Sequence, residues 1–100
     1  MKRLPYVISK RAVIDLEDIW FYTFEKWSLT QADRYYKLIF DEIDHICQAP
    51  TSGKAMDHVR EGYRASKVKS HLIFYRILNE TIEITRILHE RMDIDSRLSD

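Results

Sequence analysis

The apolar residues of this chain change their period once, from about 3.6 across residues 9–47 to about 2 across residues 63–89. A pattern with helical period cannot sit with one face buried as a strand, nor the reverse, so this switch divides the fold into a helical half and a strand half. In the first half, Ser9 offers a helix N-cap, its hydroxyl placed to accept from an otherwise unpaired backbone N–H. Ala12, Val13, Leu16, Ile19, Trp20, Thr23, Phe24 and Trp27 then share one side of a helix, with Asp15, Asp18 and Glu25 falling away from it. Ser28 followed by Gln31 matches a capping box and starts a second helix at once. Its stripe is Leu29, Ala32, Tyr36, Ile39, Phe40, Ile43, Ile46 and Cys47, and Pro50 and Gly53 end it. So short a connection folds the two helices into an antiparallel hairpin.

A short apolar stretch, Leu4 to Ile8, precedes the helices and suits a first strand, with Pro5 tolerable at a sheet edge. Thr51 to Glu61 reads as a polar loop. Tyr63–Lys69, His71–Leu78 and Thr81–His89 read as three strands, with Asn79–Glu80 a tight hairpin turn between the last two. A short helical or irregular tail runs from Asp93. The order β-αα-βββ predicts an α+β fold: an N-terminal strand and a helical hairpin packed on a small, largely antiparallel sheet. One hundred residues bury roughly two thirds of their unfolded surface, enough for one core, so residues 1–100 are expected to form one domain.

Composition removes several function classes. Sixteen basic and sixteen acidic residues cancel, whereas a chain living by phosphate contacts carries a clear basic excess. Cys47 is the sole cysteine, so no intrachain disulfide forms, and its place in the helical stripe reads as a buried thiol. No apolar run approaches the roughly 18 residues that span a bilayer and no signal-peptide core is present, so the cytoplasm is the expected location. His45 and Cys47 point to different helix faces and cannot share a metal ion. His89-Glu90-Arg91-Met92-Asp93 is half of a zincin motif without its second histidine, and it follows a strand. There is no nucleophile elbow, and two glycines cannot build a phosphate loop. No metal or cofactor is expected.

Two groupings remain. From Arg60 to Arg91 seven basic residues stand against four acidic ones, and Arg76 and Arg86 interrupt otherwise apolar strands near His71 and His89. Each arginine alone reads as closing a strand end with an ion pair. Together they form an anion site, which in an RNA-cutting enzyme would stabilise a phosphate with His89 as acid or base. Ile14 and Phe21, seven apart, lie opposite the centre of the first helix's stripe; they are either covered by the C-terminal segment or serve a protein partner. Six Tyr, four Phe and two Trp are a heavy aromatic load for so short a chain, and some of them are expected to serve an interface.

Several separated segments resemble, in order, the ParE toxins of the RelE/ParE superfamily. Ser9-Lys10-Arg11-Ala12, Asp15 to Trp20, Tyr22-Thr23 and Trp27 look like their opening helix, and Gln31-Ala32 like the start of the next. Pro50-Thr51-Ser52-Gly53-Lys54 is similar to their Asn-Pro-x-x-Gly-Arg turn, with Ala49 where Asn is common. Arg60-Glu61-Gly62-Tyr63-Arg64 and His71-Leu72-Ile73-Phe74-Tyr75-Arg76 match strand signatures, and Ile84 to Asp93 matches the C-terminal one. The resemblance implies a toxin of a type II toxin–antitoxin pair. Such a toxin is neutralised by a ParD-type antitoxin whose C-terminal part wraps around it, poisons DNA gyrase, and meets nucleic acid only indirectly, through gyrase or the antitoxin complex. It also implies that the chain is no enzyme itself. The residues expected to carry toxicity are Arg64, Arg76, Arg86, His89, Arg91 and Met92, and those expected to meet the antitoxin are Ile14 and Phe21 with part of the sheet. The rival reading is a RelE-type ribosome-dependent mRNA endoribonuclease using His89 with Arg64 and Arg86.

Overall fold

A computed structural model describes residues 3–98, so positions 1, 2, 99 and 100 of the expected domain lie outside it. The chain runs β1 (Tyr6–Ile8), α1 (Lys10–Lys26), α2 (Leu29–Gln48), β2 (Lys54–Ala55), β3 (Arg64–Val68), β4 (His71–Leu78), β5 (Thr81–His89) and α3 (Ile94–Leu98). Both helix starts are set by the expected serines: Ser9 Oγ accepts from the Ala12 N–H at 3.0 Å, and Ser28 Oγ from the Gln31 N–H at 3.1 Å.

The sheet order is β1-β5-β4-β3-β2, with β1 parallel to β5 and the other pairings antiparallel. Asn79 and Glu80 both take left-handed backbone angles, φ 51° and 56°, as a two-residue type I′ hairpin requires. The short β2 lies inside the stretch expected to be loop; two residues of edge pairing leave no period to read.

Against one face of the sheet pack Ala12, Leu16, Ile19, Ile39, Ile43 and Ile46, meeting Ile73, Tyr75, Ile82 and Ile84. The other face is covered too: Phe74, Leu88 and Ala65 lie beneath Leu98 and Tyr63, with Met56, Val59 and Ile94 at the margin. Burial on both faces explains why Ile73-Phe74-Tyr75 reads as an unbroken apolar run, all three being fully buried. Cys47 is buried, and burial pushes its thiol pKa up. Among the described residues no helix is long and apolar enough to cross a membrane.

Two expectations need correction. The stripe of α1 is narrower than its periodicity: burial ends at Ile19, about two turns before the helix does. Val13, in the first turn, is exposed. Phe24 is exposed as well and Trp27 is 71% exposed, because the last turns lean on α2 (Trp20 Nε1 donates to Asp33 Oδ1, 3.1 Å) instead of the sheet. Leu29 and Tyr36 of α2 are exposed for the same reason. Asp15, expected to face water, is instead drawn in against β5.

Candidate functional site

β1 pairs with β5 only from Ile82 to Ile84, so the remainder of that β5 edge needs other partners. Ser9 supplies one, its hydroxyl donating to the Thr85 carbonyl at 2.9 Å. Asp15 supplies the next. Its carboxylate accepts from the Ile87 N–H at 2.9 Å and from Arg86 Nε and Nη2 at 2.9 and 3.1 Å. Arg86 Nη1 also donates to the Arg97 carbonyl of α3, and Arg86 is 8% exposed. Of the arginines singled out in the sequence, this one is built into the fold.

Arg64 Nη1 donates to the Thr51 and Gly53 carbonyls at 3.1 and 2.8 Å, holding the loop after α2. Arg76 pairs across the hairpin with Glu83, its register partner, at 3.0 Å, a half-exposed contact worth about 0–1 kcal/mol. Neither reaches His89. Val68, not Arg64, is opposite His71, and Arg64 lies four residue steps along the strand from that end, about 13 Å away. The His89–Arg64–Arg86 grouping required by the ribonuclease reading is therefore not assembled.

His89, Arg91 and Met92 do come together. His89 stands directly across from His71, ring centroids 5.2 Å apart and edge to face. The Arg91 N–H donates to His89 Nδ1 at 3.1 Å, which leaves the neutral ring's proton on Nε2. With Asp18, Ile19 and Tyr22 these residues enclose a mainly apolar hollow of about 420 Å³ between α1 and the end of β5. Arg91 and Met92 are exposed at its rim. Behind it, the Tyr35 hydroxyl lies 2.6 Å from His71 Nδ1 and 3.1 Å from the Val68 carbonyl. Burial raises the Tyr35 pKa, and burial with the neighbouring His89 lowers that of His71 from 6.5 to about 4.

That depression makes stability depend on pH. The unfolded imidazole takes a proton near 6.5 and the folded one only near 4, so stability is intact above 6.5 and is lost as pH falls toward 4. For a half-buried ring the loss is about 1–2 kcal/mol after solvent screening. Urea midpoints between pH 7 and pH 4.5 measure it. His71→Gln, which cannot titrate, should flatten the slope in that interval; an unchanged slope would rule His71 out as its source.

Ile14 and Phe21 are 50% and 56% exposed, so the C-terminal segment does not cover them. Around Phe21 the helices carry an aromatic ridge, in which Phe24 and Tyr36, expected in the core stripes, are exposed, while Phe40 packs against the core as expected. Trp20 stacks on Phe24 at 5.4 Å and meets Phe21 edge-on at 5.3 Å, while Tyr36 rests on Phe40 at 5.0 Å. The aromatic excess in the composition was the only sign of it. Among the described residues no cluster of three or more potential metal ligands occurs.

Residues 6–94 match the model of the ParE toxins of type II toxin–antitoxin systems, parDE. The chain belongs to the ParE toxin family. Toxin ParE1 of Mycobacterium tuberculosis is 40% identical over 94 residues, covering 93% of this chain and 96% of that protein. Toxin ParE1 of Caulobacter vibrioides is 37% identical, covering 94% and 97%. The fold is that of a structure described as the chromosomal ParDE TA system from P. aeruginosa, with TM-score 0.77 and 17% identity over 87% of this chain and 96% of that one. The toxin–antitoxin complex RelBE2 of Mycobacterium tuberculosis gives TM-score 0.66 and 18% identity over 88% and 99%. For this ParE-family chain the N-terminal strand, the helical hairpin and the mixed sheet are thus those of the RelE/ParE fold.

Proposed function

We propose that this ParE-family toxin acts by binding: it inhibits DNA gyrase by direct contact and is neutralised by a ParD-type antitoxin. The observation that carries the reading is the distribution of its exposed apolar groups. Phe21, Phe24, Tyr36 and Leu38 remain in water on the helical hairpin, and Met92 stands with Arg91, His89 and the exposed Ile14 where α1 meets the end of β5. A monomer derives no stability from such surfaces, whereas a protein partner buries them, with aromatic and arginine anchors carrying most of the affinity. Membership in a family of type II toxin–antitoxin toxins supports an antitoxin as one partner, and gyrase as the other is what the resemblance to ParE toxins implies. The ribonuclease alternative is disfavoured because Arg64 and Arg86 are engaged elsewhere.

The test is a gyrase supercoiling and cleavage assay with purified chain. The paired variant Arg91→Ala/Met92→Ala should weaken inhibition at least about tenfold, and His89→Ala less, without abolishing it. Phe21→Asp should leave inhibition intact and weaken antitoxin binding by about tenfold or more in calorimetric titration. Absence of gyrase inhibition at micromolar protein, with ribosome-dependent mRNA cleavage that His89→Ala abolishes, would overturn the proposal in favour of the endoribonuclease.

A further inference from the structure

A second concavity, of about 410 Å³, opens where α1 turns into α2 above the β3–β4 turn. It lies within the range of roughly 300–1,000 Å³ typical of small-molecule sites. The binding proposal above makes no use of its distinctive residues. One wall is Trp27, the most exposed of the large apolar side chains, held at the C-cap of α1. Lys69, Tyr35, His71 and His89 are also among its lining residues.

Three features mark the cleft. Trp27 keeps most of its indole in water. Lys69 occupies a left-handed backbone conformation, φ 54°, in a two-residue turn where glycine would sit without strain. Its neighbour Lys67 is neutralised by Glu90 at 3.0 Å, while Lys69 has no acidic partner among the described residues. His71, finally, is held by Tyr35 through Nδ1, with its other ring nitrogen turned to no partner among the described residues. A flat aromatic face, a lysine and two imidazoles thus line one cleft. That combination suits a ligand with a planar heterocycle to stack and an anionic group beside it.

We propose that this cleft binds a nucleotide unit, its base stacked on Trp27 and its phosphate held between Lys69 and the histidine pair. The neutral total charge of the chain is no obstacle, since one phosphate needs one local cation and a ring donor such as His89 Nε2–H, not a basic surface. The same chemistry is offered by a free mononucleotide and by an unpaired stretch of nucleic acid. The two sources differ in how many neighbouring phosphates the protein would meet. His89 also borders the hollow assigned to gyrase, but Trp27 and Lys69 line this cleft and not that hollow, so variants at those two residues test the site separately from the gyrase reading.

The test titrates the full chain with adenosine monophosphate, adenosine, inorganic phosphate and a short single-stranded oligodeoxynucleotide. Tryptophan emission and the ring C–H resonances of His71 and His89 are followed. The monophosphate or the oligonucleotide should quench emission and shift both histidines saturably. Preference for the monophosphate identifies a free nucleotide, and preference for the oligonucleotide identifies a strand. Trp27→Ala should weaken binding about tenfold, the usual size of one lost stacking contact. Lys69→Gly is the sharper variant, because it removes the cation while relieving the turn. It should raise Tm and still weaken the phosphorylated ligands about tenfold, leaving adenosine unaffected. The proposal is overturned if no probe shifts the histidines saturably, if inorganic phosphate binds as well as the monophosphate, or if Lys69→Gly raises Tm without loss of binding.

Discussion

Replacing Asp15 by Ala should lower the unfolding free energy by about 3–5 kcal/mol, the range for breaking a buried ion pair from one side. The carboxylate does two things at once. It closes the β5 edge at the Ile87 N–H, and it holds the Arg86 guanidinium through two nitrogens, with both side chains only about a tenth exposed. Truncation removes the acceptor from a strand N–H and the counter-charge from a buried cation together, and each deficit is expensive away from water. Asp15→Asn, which keeps an acceptor of the same shape, should cost roughly half as much. Replacing both partners by apolar residues, Asp15→Leu with Arg86→Met, should recover a large part of the loss, because no charge is then left in the interior. Guanidinium denaturation of the four proteins decides it: a change under about 1 kcal/mol for Asp15→Ala would mean the pair is solvated. The result also governs how Arg86 is read. Loss of toxicity on changing Arg86 counts toward target contact only if the fold survives, and the buried pair predicts that it largely does not.

Gly53→Ala should cost about 2–4 kcal/mol, combining overpacking with lost hydrogen bonds. The reason is a close approach instead of an unusual backbone angle. A Cβ at Gly53 would lie 2.4 Å from the Tyr75 hydroxyl oxygen and 2.8 and 2.9 Å from Cε1 and Cζ of the ring. Tyr75 cannot retreat. It is fully buried in the core, and its hydroxyl accepts from the Gly53 N–H and donates to the Pro50 carbonyl, both at 2.9 Å. Tyr75→Phe alone should cost about 1–3 kcal/mol by leaving that donor and acceptor unmatched. The double variant should be less destabilised than the sum of the two, since the hydroxyl clash disappears, yet should stay well below wild type because the ring carbons still collide. Strict additivity within about 0.5 kcal/mol would show that the loop moves away freely and that the Tyr75 clamp is weak.

Gly53 illustrates how far the sequence could be read. Taken with Pro50 it marked the end of the second helix and the start of a turn, which is where α2 stops. Why the residue must be glycine became visible only when β4 brought Tyr75, 22 residues later, against it. The helix caps at Ser9 and Ser28, the Asn79–Glu80 turn and the three long strands were legible because each depends on neighbours within a few residues. β2 was not, since an edge strand of two residues carries no periodic signal.

Among candidate site residues the division is the same. Periodicity correctly left Ile14 and Phe21 outside the core stripe. It also placed Trp27 and Phe24 in the core, because a helical wheel knows the angle of a residue but not how far along the helix the sheet extends. Asp15 and Arg86 looked like separate surface charges, 71 positions apart, and no local rule joins them. His71 and His89 lie 18 positions apart and meet through the β4–β5 register, while Tyr35 arrives from α2.

By itself, then, the sequence determined the family, the order of elements and the side of each helix turned inward, all of which follow from short-range spacing and from motifs in order. The tertiary structure alone decided which charges are buried as pairs, which aromatics stay in water, and which histidines share a cleft. Those outcomes rest on where distant segments come to lie, and a carboxylate or an indole has the same local spacing whether a strand edge lies over it or solvent does.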